Sequence, residues 1–447
     1  MKLKTRPLSY MTLALATLAI TACGNTPTAQ VPGVTVSQER QLATVSIGAS
    51  VTRDALLAAL PAAQILSFDT AAGYAILSVP GESGKLRPAS LNSQALRALD
   101  ASVTTVEADV ELAAPSDPVA EGLGVTAWAG GVTAWAGGVT AWAGGVSAWA
   151  SGFGFNATDL YNLHVFRNVI NLPTGQQLAP ELGAGVKVAV IDTGVDLAHP
   201  LLREQINTAA DWDFVGGDAT PQEELPAAGL GKYGHGTAVA GVIAQVAPRA
   251  EILAYRVLAP DGSSPVSRVV LAVDKAVSSG AKIINLSLGS MEDSTALNTV
   301  VAGALAKGIL VVNSSGNDGI ENMVYPARKL GTGSFTANSG LIAVGSVALG
   351  YMKSSFTSYG TGMSLTAHGE NVVTSYPGSR LIKATGTSFA APAVSGALAL
   401  AVSAGTTNVS TLVADLRATT TPNADPIFRS KLGTGSLNIG AFMDRYR

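Results

Sequence analysis

Apolar and polar positions divide the chain into stretches of different period. Between Leu42 and Leu112 short segments prevail: Ala43–Ser50, Tyr74–Val79 and Val103–Val110 read as strands, Thr52–Leu60 and Leu91–Leu99 as helices. They predict a small α+β unit with no histidine and no evident catalytic constellation. From Gly185 onward the pattern changes. Continuous apolar runs at Val186–Ile191, Ile252–Val257, Lys282–Leu288, Ile309–Asn313 and Leu341–Val347 alternate with helical spacing over Val266–Ser279 and Thr295–Lys307. Runs of this kind suit parallel strands buried on both faces. The prediction is an α/β domain: an open, doubly wound parallel sheet with helices on both faces and its ligands at the carboxyl ends of the strands. Ala393 to Ala404 is almost wholly small and apolar and predicts a tightly buried helix, with Pro392 expected among the first helical positions, where no hydrogen bond is lost.

Two further stretches fall outside this alternation. Lys2, Lys4 and Arg6 precede an apolar run from Tyr10 to Ile20, too short to cross a bilayer and laid out like a secretory leader. It ends in Ile20-Thr21-Ala22-Cys23, which resembles the lipobox of bacterial lipoproteins and makes Cys23 the candidate lipidation site. Cys23 is the single cysteine, so no intramolecular disulfide can form. Between Gly124 and Ser151 a heptapeptide recurs, GVTAWAG three times and then GVSAWAS, placing Trp128, Trp135, Trp142 and Trp149 seven residues apart. The Gly-Gly junctions would break a helix once per unit, so extended segments fit better than a coiled coil. The repeat reads either as a spacer or as a Trp-lined surface for a neighbouring domain, a glycan or lipid headgroups, and the sequence does not choose between them. The domain plan is a leader over 1–22, a tether over 23–41, the α+β unit over 42–114, the repeat linker over 115–154 and the α/β domain over 155–447.

The chemistry lies at the ends of the predicted strands. Val186–Ile191 runs into Asp192-Thr193-Gly194, and Gly234-His235-Gly236-Thr237 leads into a small-residue helix. Ile309–Asn313 runs into Ser314-Ser315-Gly316-Asn317, and Gly386-Thr387-Ser388 opens the last apolar helix. Each has a bland reading alone: a cap, a core histidine, a turn residue, an N-cap serine. Together they supply a nucleophile, a base, an anion to orient that base, and a side-chain amide to steady an oxyanion.

These motifs resemble those of the subtilisin-like serine proteases. The matching stretches are Val190-Ile191-Asp192-Thr193-Gly194-Val195-Asp196, Gly234-His235-Gly236-Thr237, Asn285-Leu286-Ser287-Leu288-Gly289, Ser315-Gly316-Asn317 and Gly386-Thr387-Ser388. The resemblance implies a subtilisin-like fold and a serine endopeptidase acting through an acyl-enzyme. In it Asp192 orients, His235 is general base and acid, Ser388 is the nucleophile, and Asn317 with the Ser388 N–H forms the oxyanion hole. It further implies that Ser287, Leu288 and Gly289 bind extended substrate, that Ser315, Gly316 and Val324 belong to the specificity pocket, and that the 42–114 unit is a propeptide that assists folding and blocks the cleft until cleaved. Val324 stands where relatives that accept large aromatic residues tend to carry glycine.

The chain departs from the family at Ala238, His368 and Ala393, and none of these touches the triad. Leu201 follows His199-Pro200 where many relatives have a calcium-ligating aspartate, and Val242-Ile243-Ala244-Gln245 runs almost directly into Val246-Ala247-Pro248 without the loop that supplies the other ligands. The family's best-known calcium site is therefore expected to be missing and no cofactor is required; calcium stays an option at the acidic stretch Asp211 to Glu224, read here as a solvated loop. His164, His199 and His368 lack zinc-site spacing and read as structural.

Composition adds exclusions. Twenty-eight basic against 31 acidic residues give a net charge of -3, with no basic patch for nucleic acid. Protein or peptide substrates, the chain's own propeptide as intramolecular inhibitor, a membrane reached by a lipid anchor, and a secreted or cell-envelope-attached monomer are the expectations. A scaffold protein would have no need of all four site residues, and an esterase would show a Gly-x-Ser-x-Gly elbow in the order Ser…Asp…His, which this chain lacks.

Overall fold

Alternating side chains build the N-terminal unit. Strands β1 (Arg40–Ile47), β2 (Gln64–Asp69), β3 (Tyr74–Pro80) and β4 (Ala101–Ala108) pair antiparallel in the order β2-β3-β1-β4, with helices α1 (Arg53–Ala59) and α2 (Ser93–Ala98) between them. The computed structural model describes residues 40–81, 91, 93–114, 157–226 and 232–447. The leader, Cys23, all but the end of the tether, and the Trp repeat lie outside the described residues. One sheet face, with Ala43, Val45, Ala75 and Leu77, packs on Leu56 and Leu96 of the two helices. The opposite face, with Leu42, Leu66, Tyr74 and Ile76, joins the core of the larger domain. Strand β2 is absent from the sequence reading because its period is broken by Ser67, which is buried and donates to Asp274 at 2.7 Å.

The larger domain opens with α3 (Ala157–Val169) and α4 (Leu172–Leu178). Its sheet is seven-stranded: β6 (Lys187–Asp192), β7 (Trp212–Asp213), β8 (Glu251–Arg256), β10 (Ile283–Leu286), β11 (Leu310–Ser314), β12 (Leu341–Val347) and β13 (Leu365–His368). The spatial order is β13-β12-β11-β10-β6-β8-β7 and every pairing is parallel. Val188, Val190 and Val312 face α5 (His235–Val246) and α8 (Thr387–Ser403), whereas Ala189, Ile191 and Val311 face α6 (Val266–Ser278) and α7 (Thr295–Ala306). A hairpin, β14 (Val372–Tyr376) and β15 (Arg380–Ala384), precedes α8, and α9 (Val409–Ala418) and α10 (Ile439–Met443) close the chain. Succession changes direction at β6, which has β8 on one side and β10 on the other, so the crevice beyond its carboxyl end is the expected ligand site.

The small unit is fastened to α6 and α7. Glu107 caps α7: its carboxylate accepts from Ser294 Oγ at 2.7 Å, Thr295 N at 2.8 Å and Ala296 N at 2.9 Å. Asp109 accepts from Ser267 N at 2.9 Å in the first turn of α6. Both place negative charge where a helix dipole favours it and where backbone N–H groups have no partner within the helix. Lys307 and Asp69 add an ion pair at 2.6 Å. After β4 the chain makes a short strand, β5 (Glu111–Ala113), which pairs antiparallel with β9 (Ser263–Pro265) of the larger domain. Among the described residues no helix is long and apolar enough to cross a membrane.

Candidate active site

Strand β6 delivers Asp192 to the switch point and α5 begins at His235, so a strand end and a helix start face each other. His235 Nδ1 lies 2.6 Å from Asp192 Oδ1, and both side chains are buried. Thr193 N donates to the same carboxylate oxygen at 2.8 Å. The approach demands glycine at 236: a Cβ there would stand 2.1 Å from the Gly194 carbonyl oxygen and 3.1 Å from Asp192 Cβ.

Ser388 is the second residue of α8, 2 % exposed, and the ring of its neighbour Phe389 lies 5.5 Å from that of His235. Asn317 follows β11; its Oδ1 accepts from Thr387 N at 3.0 Å and Thr387 Oγ1 at 2.8 Å, which fixes the amide beside the start of α8 and directs its N–H groups away from Thr387. The structure thus brings Asp192, His235, Ser388 and Asn317 to one end of the sheet.

Pro392 is corrected. It is the sixth residue of α8 rather than one of the first four, so it does remove a helical hydrogen bond, the one the Ser388 carbonyl would accept. That carbonyl is satisfied instead by Ser287 Oγ at 2.9 Å. Ser287 in turn accepts from Asn285 Nδ2 at 3.0 Å, and Asn285 Oδ1 accepts from Ser395 Oγ at 2.8 Å. The carbonyl that the proline frees therefore becomes the joint between α8 and the loop after β10.

That loop is an edge already in use. Gly289 and Ala113 exchange both backbone hydrogen bonds, at 3.0 and 2.9 Å, and Ala114 N donates to Gly262 O at 3.1 Å. Strand β5 is therefore held between Gly289 on one side and β9 on the other, with Leu112 buried in the core shared with Leu288. Asn313 braces the edge by donating to the Leu286 and Leu288 carbonyls at 2.8 and 2.9 Å, and it accepts from Ala327 N at 2.7 Å. Val324 is 6 % exposed. A Cβ on Gly289 would come 2.5 Å from its Cγ2, and one on Gly316 would come 3.0 Å from its Cγ1, so its isopropyl group wedges between the edge and the loop that carries Asn317. Ser315 is buried and bonds through its backbone, to Val344 O and from Val324 N.

The acidic stretch is also corrected. Asp211, Asp213 and Glu223 are buried, not solvated. Asp211 accepts from Ala254 N at 2.8 Å, and Arg256 bridges Asp213 and Glu224 at 2.8 and 2.5 Å. These bonds tie Asp211 Oδ1, Asp213 and Glu224 to protein donors, while Asp211 Oδ2 is buried without a hydrogen-bond partner. The Leu201 side chain offers no ligand oxygen and is 57 % exposed, so it does not fit the place of the carboxylate in the family's calcium site. Among the described residues no group of three or more His, Cys, Asp or Glu is placed to hold a metal ion. His199 donates from Nε2 to Arg380 O at 2.9 Å and accepts at Nδ1 from Leu201 N, as a structural histidine does. The β9 edge, the Asn313 brace and Glu223 escaped sequence reasoning, since their partners lie on distant elements and no local motif announces them.

A family model described as the Subtilase family matches residues 183–435. The chain is 39% identical over 227 residues to subtilisin BL of Lederbergia lenta, covering 49% of this chain and 76% of that protein. It is 36% identical over 275 residues to thermitase of Thermoactinomyces vulgaris, covering 59% and 88% respectively. Among solved structures it is similar to a cold-adapted subtilisin-like serine proteinase, with a TM-score of 0.50, 28% identity, and coverage of 57% of this chain and 89% of that one.

Proposed function

The chain belongs to the subtilase family and is a serine-type endopeptidase, and on that premise we propose that it is made as a self-blocked zymogen whose triad is Asp192, His235 and Ser388. Ser388 Oγ attacks the scissile carbonyl while His235 Nε2 takes its proton; Asp192, bonded to Nδ1, holds the imidazole in the reactive tautomer and stabilises its charged form. The tetrahedral oxyanion is met by the Ser388 N–H and the Asn317 amide. His235 then protonates the leaving amine, and a water, deprotonated by the same imidazole, cleaves the acyl-enzyme and restores Ser388.

The observation that carries the zymogen reading is β5 lying as a third strand between Gly289 and β9. An extended peptide added to a sheet edge gains main-chain hydrogen bonds regardless of sequence, while alternate side chains enter pockets, as Leu112 does. Protein substrates take the same place after the small unit leaves. Val324 narrows the pocket beside Gly289 and Gly316, which favours Ala, Val or Leu over Phe or Tyr before the scissile bond. The leader and Cys23 support export, with attachment to the cell envelope through lipid. Ser388→Ala tests the self-processing directly. Expressed alone it stays full length, because no other group in the chain attacks the propeptide junction; a normally trimmed Ser388→Ala protein assigns the cut to another protease.

A further inference from the structure

We infer that Glu223 is a positioning residue for the Asp192–His235 pair: its buried carboxyl locks the end of β6 to the first turn of α5. The inference rests on the reading of Asp192 as orienter and His235 as base. Glu223 Oε1 accepts from Thr193 Oγ1 at 3.0 Å, Thr237 N at 3.0 Å and Thr237 Oγ1 at 3.1 Å, and Oε2 accepts from Gly234 N at 2.9 Å. Thr193 follows Asp192, whereas Gly234 and Thr237 bracket His235. One side chain therefore spans both halves of the pair.

The direction of each bond is fixed. Thr193 Oγ1 accepts from Gly236 N at 2.9 Å and Thr237 Oγ1 from Asp196 N at 2.9 Å, and Glu223 Oε1 is the acceptor that each hydroxyl proton meets. Four donors and no acceptor surround the carboxyl, an arrangement that suits the anion. Burial pushes it up to about 7, and the nearby charge of Asp192 acts in the same sense. Besides Asp192, the titratable groups that feel its charge are Tyr233 and Tyr376, with Asp196 and Arg380 beyond them, while His235 lies in the chain between the Gly234 and Thr237 N–H groups that hold it. No cation pairs with Glu223 among its hydrogen-bond partners. A buried anion held by neutral donors costs more than a neutral bridge would, so a purely structural staple has no need of the charge.

Glu223 makes none of the hydrogen bonds at Ser287–Gly289 or Gly262, so substrate binding and turnover separate in the test. In Glu223→Gln, kcat should fall roughly 10- to 100-fold, the scale of a small misplacement of catalytic groups, with KM unchanged. The acid limb of kcat/KM should move to lower pH, by less than about one unit, because a carboxyl pushed up to about 7 is only partly charged where that limb falls. Glu223→Asp keeps the charge with a shorter reach, so its kcat should fall while its acid limb stays in place; this variant decides the matter if Glu223→Gln does not fold. The low-field proton resonance of the His235–Asp192 hydrogen bond, read on the full-length chain in both variants, needs no turnover and should shift in Glu223→Gln.

An acid limb and a resonance both indifferent to Glu223→Gln overturn the inference, as does a displaced limb in Glu223→Asp. Wild-type protein that labels at Ser388 with a fluorophosphonate while the resonance ignores Glu223 sinks this inference alone. Wild-type protein that does not label while the resonance responds sinks the reading of function alone.

Discussion

Val324 carries the sharpest quantitative expectation. Its two methyl groups reach toward Gly289 and Gly316, which in the proposed function border the pocket before the scissile bond. Replacing it with glycine removes three carbons from the pocket floor. At about 0.8 kcal/mol per methylene-sized group the ceiling is roughly 2.4 kcal/mol, and discrimination by one or two methylene units in an apolar pocket runs about 1–3 kcal/mol. The ratio of kcat/KM for Phe over Ala at that position should therefore rise about 5- to 60-fold in Val324→Gly, with Val324→Ala intermediate. The assay is a series of peptide anilides with Ala, Val, Leu, Phe or Tyr before the scissile bond, run on processed enzyme whose active-site concentration has been titrated. Wild-type enzyme that ranks Phe and Tyr first, or a Val324→Gly ratio within about twofold of wild type, refutes the wedge.

Three other outcomes follow from the same geometry. Asn317→Ala should lower kcat about 10²- to 10³-fold with little change in KM, a size known from the corresponding donor of subtilisin; steady-state kinetics with an effect confined to KM would remove Asn317 from the oxyanion hole. Glu107→Ala strips the cap from α7 and should weaken the hold of the small unit by about 1–2 kcal/mol, seen as a several-fold higher basal activity of processed but unseparated protein. Burial pushes His368 down to about 4, below its usual 6.5. Since the unfolded chain binds the proton more readily, stability is fully present above pH 6.5 and is lost as pH falls toward 4, by roughly 3 kcal/mol; His368→Gln should flatten the denaturation midpoint across that window.

Asp192, His235, Asn317 and Ser388 could be singled out in the sequence because each sits where a periodic run ends or begins, and strand ends and helix starts are what hydrophobic pattern locates best. Five of the seven strands, β6, β8, β10, β11 and β12, followed from the continuous apolar runs for the same reason, whereas β7 and β13, two and four residues long, are too short to show a period. Pro392 was misplaced because the helix starts at Thr387, and a proline six residues in is tolerated only through Ser287, whose contact pattern cannot reveal. Asp211, Asp213 and Glu223 read as a solvated loop because acidic residues near one another usually are; their burial depends on Arg256, Ala254 and the threonines of two other elements. Strand β5 is three residues long, and its pairing with β9 is set by tertiary fit rather than by local preference.

The central claim, that Ser388 is the nucleophile of a peptidase activated by His235 and Asp192, is tested most directly by covalent trapping. Processed wild-type protein, incubated with a fluorophosphonate and digested for mass spectrometry, should carry the phosphonyl group on Ser388 alone and lose all hydrolysis of casein, while His235→Ala should neither label nor cleave. Casein hydrolysis that persists after full labelling of Ser388, or a label on any other residue in step with inactivation, contradicts the account.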